Sequence, residues 1–232
     1  MILLYIVAES GADAAFYALC AERITGREFT PISLENRRAD GVEMVRLQLK
    51  YALKQARGAA SGGQSVCFIA AMDNDRAPHP ENAALDREKL SRKDRDESNR
   101  AEWMRELVAS VLGQNTNAWP LPVAIAVPVE MLEAWVYRAV SPTDPQPMPL
   151  FARADSESAR AYYSPSAPPP QWKDTVAEKQ SQMGISDKRA FQEKAARALD
   201  ATELAERSLS FSMFKDWLDR WPKAAATESG PL

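Results

Sequence analysis

One histidine, two cysteines and no long apolar run set the first limits on what this chain of 232 residues does. His79 lies between Pro78 and Pro80, a loop-like setting, so a Ser-His or Cys-His catalytic pair has only that imidazole to draw on. Cys20 and Cys67 sit far apart inside apolar segments, without the paired Cys or His spacing of a zinc site. They read as buried, reduced thiols in a reducing compartment. No segment approaches the roughly 20 apolar residues that a membrane span needs. The apolar opening is short, lacks a basic leader and meets Glu9 and Asp13 at once, so the expectation is a cytoplasmic protein with no membrane segment. Positive charge is also scarce: 29 Lys and Arg against 32 Asp and Glu give a net charge of −3. A nucleic-acid binder of this composition must cluster its cations locally.

What is present is an alternation of strand-like and helix-like stretches. Residues 2–8 form a continuous apolar run, the pattern of a strand buried on both faces of a parallel sheet. Residues 12–24 follow with helical spacing through Ala15, Phe16, Leu19 and Cys20, with Ser10 or Asp13 as cap and Gly26 as stop. Residues 29–34 suggest a short strand, 41–57 a helix with Val45, Leu49, Ala52 and Leu53 on one face, and 65–72 another buried strand. A helix at 100–112, a strand at 121–127 and a helix at 130–140 continue the alternation. This order predicts an α/β fold with a doubly wound, mostly parallel, Rossmann-like sheet. The expected organisation is a core over 1–140 with a charged insertion at about 76–99, a Pro-rich connector over 141–172, a helical extension over 173–223 packed on the core, and a flexible tail over 224–232. In the extension, Phe211, Phe214, Trp217 and Trp221 read as core, with a partner interface as the alternative, and homo-oligomer formation is left open.

Ligands of open α/β sheets bind outside the carboxyl ends of the strands. Glu9 stands at one such end, Asp73 and Asp75 at another. Alternation in an extended segment puts Asp73 and Asp75 on one side. Carboxylates so gathered ionise together cheaply only beside a cation, and Mg²⁺ or Mn²⁺ accepts an all-oxygen set. The competing reading is that Asp73-Asn74-Asp75 is turn chemistry and that Glu9 favours a helix N-terminus.

These residues resemble a Toprim domain: a strand ending in glutamate, a helix, and a later strand ending in Asp-x-Asp. The usual Glu-Gly of the first motif is here Glu9-Ser10-Gly11, the glycine one place later. Residues 127–136, containing Pro128, Glu133, Ala134 and Trp135, are similar to the P-x-x-x-x-E-A-W stretch of small Toprim-like proteins of bacterial defence and mobile islands, near the overcoming-lysogenization-defect nucleases. The resemblance covers residues 2–138. It implies a Mg²⁺- or Mn²⁺-dependent nuclease in which Glu9, Asp73, Asp75 and Glu133 form the catalytic and metal-binding set, with Trp135 packing behind Glu133. It also implies nucleic acid as partner and a separate ATPase or sensor subunit, since the chain has no P-loop G-x-x-x-x-G-K-[ST]. Lys50, Lys54, Lys179 and Lys188 are candidates for a lysine near the scissile phosphate, and no spacing selects one. Tyr162-Tyr163 lacks the setting of a strand-transfer tyrosine, which favours hydrolysis. The alternatives are a non-catalytic Toprim-like binding or regulatory subunit and, third, a Mg²⁺-dependent phosphatase.

Overall fold

Four apolar runs become the strands of one parallel sheet: β1 (Leu3–Val7), β2 (Thr30–Ser33), β3 (Val66–Ala71) and β4 (Val123–Ala126). The computed structural model describes residues 1–33, 41–73, 100–128, 132–143 and 172–222. Strand order is β2-β1-β3-β4, and every neighbouring pair is parallel. The chain steps outward from β1 to β2, then returns to β3 on the other side of β1. The winding direction therefore reverses between β1 and β3, and their carboxyl ends form the topological switch point. Their register, Leu3 opposite Val66 through Val7 opposite Ala70, brings the two ends level.

Eight helices among the described residues cover the two sheet faces: α1 (Gly11–Thr25), α2 (Gly41–Ser61), α3 (Arg100–Leu112), α4 (Leu132–Val140), α5 (Trp172–Gln182), α6 (Lys188–Ala198), α7 (Ala201–Arg207) and α8 (Leu209–Asp219). Alternation along β3 assigns the layers. Val66, Phe68, Ala70 and Met72 pack with Val45, Leu49 and Leu53 of α2 and Met104 and Val108 of α3. Cys67, Ile69 and Ala71 face the opposite layer, with α1 and α4 to α8. Every residue of β3 and β4 is buried, as expected of strands covered on both faces. Cys20 and Cys67 are buried and free, and loss of water pushes both thiols up, Cys67 to about 12.

Local chemistry sets the boundaries. Ser10 caps α1 by accepting from Asp13 N at 3.2 Å. Gly26 ends that helix at φ 68°, a left-handed conformation that favours glycine. The last two helices begin two to three residues before the stretches expected at 204–209 and 211–221: Asp200 caps α7 through Thr202 N and Glu203 N, and Ser208 separates it from α8, which it caps through Phe211 N. Helix α2 also runs past Gly58 to Ser61. The expected Pro-rich connector lies outside the described residues except at 141–143 and Trp172. Among the described residues no helix is long and apolar enough to cross a membrane.

The second layer closes on Trp135 of α4. Its indole meets Phe211 edge-on at 5.0 Å, stacks near Phe214 at 6.0 Å, and donates to Ser208 Oγ at 3.2 Å. Phe211 and Phe214 are thus core side chains, while Trp217 is only half-buried and stacks on Trp119 at 5.8 Å. Trp135→Ala is expected to cost about 3–5 kcal/mol. Leu47→Ala, at a position 56% exposed, stays within roughly 0.5 kcal/mol. Urea unfolding of both variants checks the pair, and near-wild-type stability of Trp135→Ala would contradict this packing.

Candidate functional site

Glu9 leaves β1 two residues past Val7, and Asp73 leaves β3 two residues past Ala71. Level strand ends place them side by side: Asp73 N donates to Glu9 Oε1 at 2.9 Å. Asp73 Oδ1 in turn accepts from Leu132 N at 2.9 Å, so the carboxylate sits on the first amide of α4. The next residue of α4 is Glu133, 8% exposed and not the solvated helix acid that its sequence position allows. From α1 comes Asp13, 9% exposed, which accepts from Gln192 Nε2 at 2.9 Å. Lys188 at the start of α6 reaches over both, 3.4 Å from Asp13 Oδ1 and 3.7 Å from Glu133 Oε1. The resulting cleft of about 440 Å³ is lined by Glu9, Ser10, Asp13, Asp73, Glu133, Lys173, Val176, Ala177, Gln180 and Lys188.

Two opposed fields meet there. The first residues of α1, α4, α5 and α6 border the cleft, and helix N-termini carry partial positive charge that favours anions. Four carboxylates supply the opposite sign. Asp73 feels the crowding most. Burial, then Glu9, Glu133 and Asp13, push its carboxyl well above the usual range, against the pull of the Leu132 amide. Tyr17, buried beneath, has its phenol raised by burial and then by Asp73, Asp13 and Glu9. For Lys188, burial works against the charged form, but Asp13 and Glu133 outweigh it and raise the ammonium pKa.

Three of the four acids singled out in the sequence, Glu9, Asp73 and Glu133, therefore border one cleft. Asp75 lies outside the described residues, as do His79 and Tyr162-Tyr163. Of the four lysines, Lys188 borders the cleft; Lys50 and Lys54 are exposed on α2 in the other layer, and Lys179 of α5 does not line it. The displaced glycine is accommodated: Ser10 is the extended N-cap at φ −147° and Gly11 the first helical residue. Sequence reasoning treated Asp13 only as a capping candidate and missed Lys173, Gln180 and Gln192. Asp13 and Gln192 meet across 179 positions, a separation that leaves no local signal. Among the described residues no three acidic, cysteine or histidine side chains are drawn together as a ready-made metal-ligand group. No protein-family model, curated protein or solved structure matches the chain.

The crowding has a pH signature. A carboxyl raised in the folded state binds more protons there than in the unfolded chain, whose aspartates titrate near about 3.9. Its contribution thus favours folding at low pH and is lost as pH rises through the raised folded value. In EDTA, Asp73→Asn, which keeps the acceptor for Leu132 N, is expected to be more stable than wild type at pH 8. The gain is on the order of 1 kcal/mol, about 2–4 °C in a chain of this size. It should shrink towards pH 5, and thermal unfolding across that range is the measurement. A variant less stable than wild type at pH 8 would contradict the assignment.

Proposed function

We propose that the chain is a Mg²⁺- or Mn²⁺-dependent, Toprim-like nuclease that hydrolyses phosphodiester bonds in nucleic acid. In this reading it is an effector subunit of an anti-phage defence or mobile-element system, working beside a separate ATPase or sensor. The observation that carries the reading is the Glu9–Asp73 contact at the switch point, with Glu133 and Lys188 facing it across one cleft. Such a cleft offers carboxylates to a cation, and helix N-termini with two lysines to a phosphate.

The chemistry of the donor set suits a hard divalent cation: oxygen donors only, with one carboxyl raised first by burial and then by its neighbours' charge. Glu9, Asp73 and Glu133 would hold it, with Asp75 from beyond the described residues. A cation bound there supplies charge neutralisation at a phosphate oxygen and a more acidic water. The chain's own groups do the rest. Glu9 serves as general acid/base, its carboxylate oriented by the Asp73 amide. Asp73 is fixed by the Leu132 amide. Lys188, held by Asp13 and Glu133, presents an ammonium to an entering phosphate.

A second reading, a non-catalytic binding or regulatory subunit, draws on the same contacts. Glu9 Oε1 and Asp73 Oδ1 are already satisfied by backbone amides, and Glu133 by Lys188. The phosphatase alternative is disfavoured because glutamate, not the nucleophilic aspartate of that class, follows β1.

Supercoiled and linear DNA, single-stranded DNA and RNA incubated with Mg²⁺, Mn²⁺ or EDTA distinguish these readings. Cleavage is expected with a metal and not in EDTA, with Glu9→Gln and Asp73→Asn each slower by roughly 100-fold or more. Cleavage that survives both substitutions would remove the site from the account. Metal-dependent binding without cleavage, with the partner subunit supplied, selects the binding module. Phosphate release from a phosphomonoester selects the phosphatase.

A further inference from the structure

Helix α2 carries charge that the cleft does not use. Its sequence contains Arg46, Lys50, Lys54 and Arg57 against one acidic residue, Glu43 in the first turn, in a chain whose net charge is −3. At 3.6 residues per turn, Lys50, Lys54 and Arg57 fall within an arc of about 60°. Val45, Leu49, Ala52, Leu53 and Ala56 are buried against the sheet and α3, which turns the arc of cations towards the outer side. Lys50 and Lys54 are exposed and have no ion-pair partner among the described residues. Arg57 donates to Val111 O at 2.7 Å, which anchors its guanidinium on the α2–α3 seam and leaves its charge uncompensated. Beside this row Leu47 and Tyr51 stand 56% and 57% exposed, among the few large apolar side chains left in water.

We propose that the outer face of α2, Lys50, Lys54 and Arg57 with Tyr51 beside them, is a docking surface for the phosphate backbone of nucleic acid. Cations repeating along one helix face without intervening acids complement a polyanion of regular charge spacing. An exposed aromatic beside such a row offers a stacking surface to an unpaired base. The local cluster resolves the conflict between an acidic composition and a nucleic-acid partner. The surface lies on the opposite layer from α1, α4, α5 and α6, so it holds the strand without contributing to the chemistry in the cleft. It deepens the nuclease reading and rests on it for the identity of the polyanion.

Fluorescence anisotropy of labelled single-stranded and duplex DNA and RNA in EDTA tests the surface without cleavage. The proteins are wild type, Lys50→Glu/Lys54→Glu, Lys50→Gln/Lys54→Gln and Lys194→Glu, an exposed cation of the other layer that does not line the cleft, with circular dichroism as the folding check. Wild type and Lys194→Glu are expected to bind alike. The glutamate pair should bind at least tenfold more weakly. The glutamine pair should lower the slope of log K against log salt by about 2, one for each phosphate no longer neutralised. Unchanged binding by the glutamate pair overturns the proposal, as does absence of wild-type binding at the lowest salt. Tighter binding through the same lysines to polyglutamate or to phosphatidylglycerol vesicles overturns it too, by assigning the face to an acidic protein or a membrane. Binding that depends on α2 without metal-dependent cleavage leaves the surface standing and removes the nuclease reading.

Discussion

The parallel pairing of β1 and β3 is the constraint on which the rest depends. Because the register sets Val7 opposite Ala70, the chain delivers an acidic residue from each strand to the same level, and the Asp73 amide closes on Glu9. The winding reverses between these two strands, the crossover after β1 running through α1 on one face and that after β3 through α3 on the other. Helix α4 starts there with its first amide on Asp73, α1 starts there with Ser10 as its cap, and α6 adds Lys188 from the C-terminal part of the chain. Gathering like charges in a partly enclosed cleft works against stability, and the raised carboxyl of Asp73 is its local expression.

The two faces of the sheet divide the labour. One layer, α1 with α4 to α8, surrounds Trp135 with Phe211 and Phe214 and so fixes the wall that presents Glu133. The other, α2 and α3, is fastened to the sheet through Val45, Leu49 and Leu53 and turns its cations to the solvent.

Much of the scaffold was legible from sequence because it rests on local signals. Buried apolar runs marked β1, β3 and β4, and a short strand-like stretch marked β2, all to within two residues, and residues 100–112 coincide with α3. Glu9 and Asp73 were legible for the same reason: each follows a strand. Glu133 entered through the family resemblance, and its burial required α6 to lie across it. Asp13 was read as a cap, and it does stand in the first turn, but its bonds to Lys188 and Gln192 form only when α6 packs on α1. Four lysines were equivalent in sequence for this reason, and the helical extension distinguishes Lys188. The break between the last two helices was expected after residue 209 and falls at Ser208, where the serine side chain caps α8.

If the cleft takes a divalent cation as proposed, Asp73 gives up a proton to accommodate it. Calorimetric titration of the protein with Mn²⁺ at neutral pH, in two buffers of different ionisation enthalpy, addresses both parts. The account predicts saturable binding with net proton release, and loss of that release together with weakened binding in Asp73→Asn. Absence of Mn²⁺ binding, or binding with the same proton count in Asp73→Asn, would contradict it.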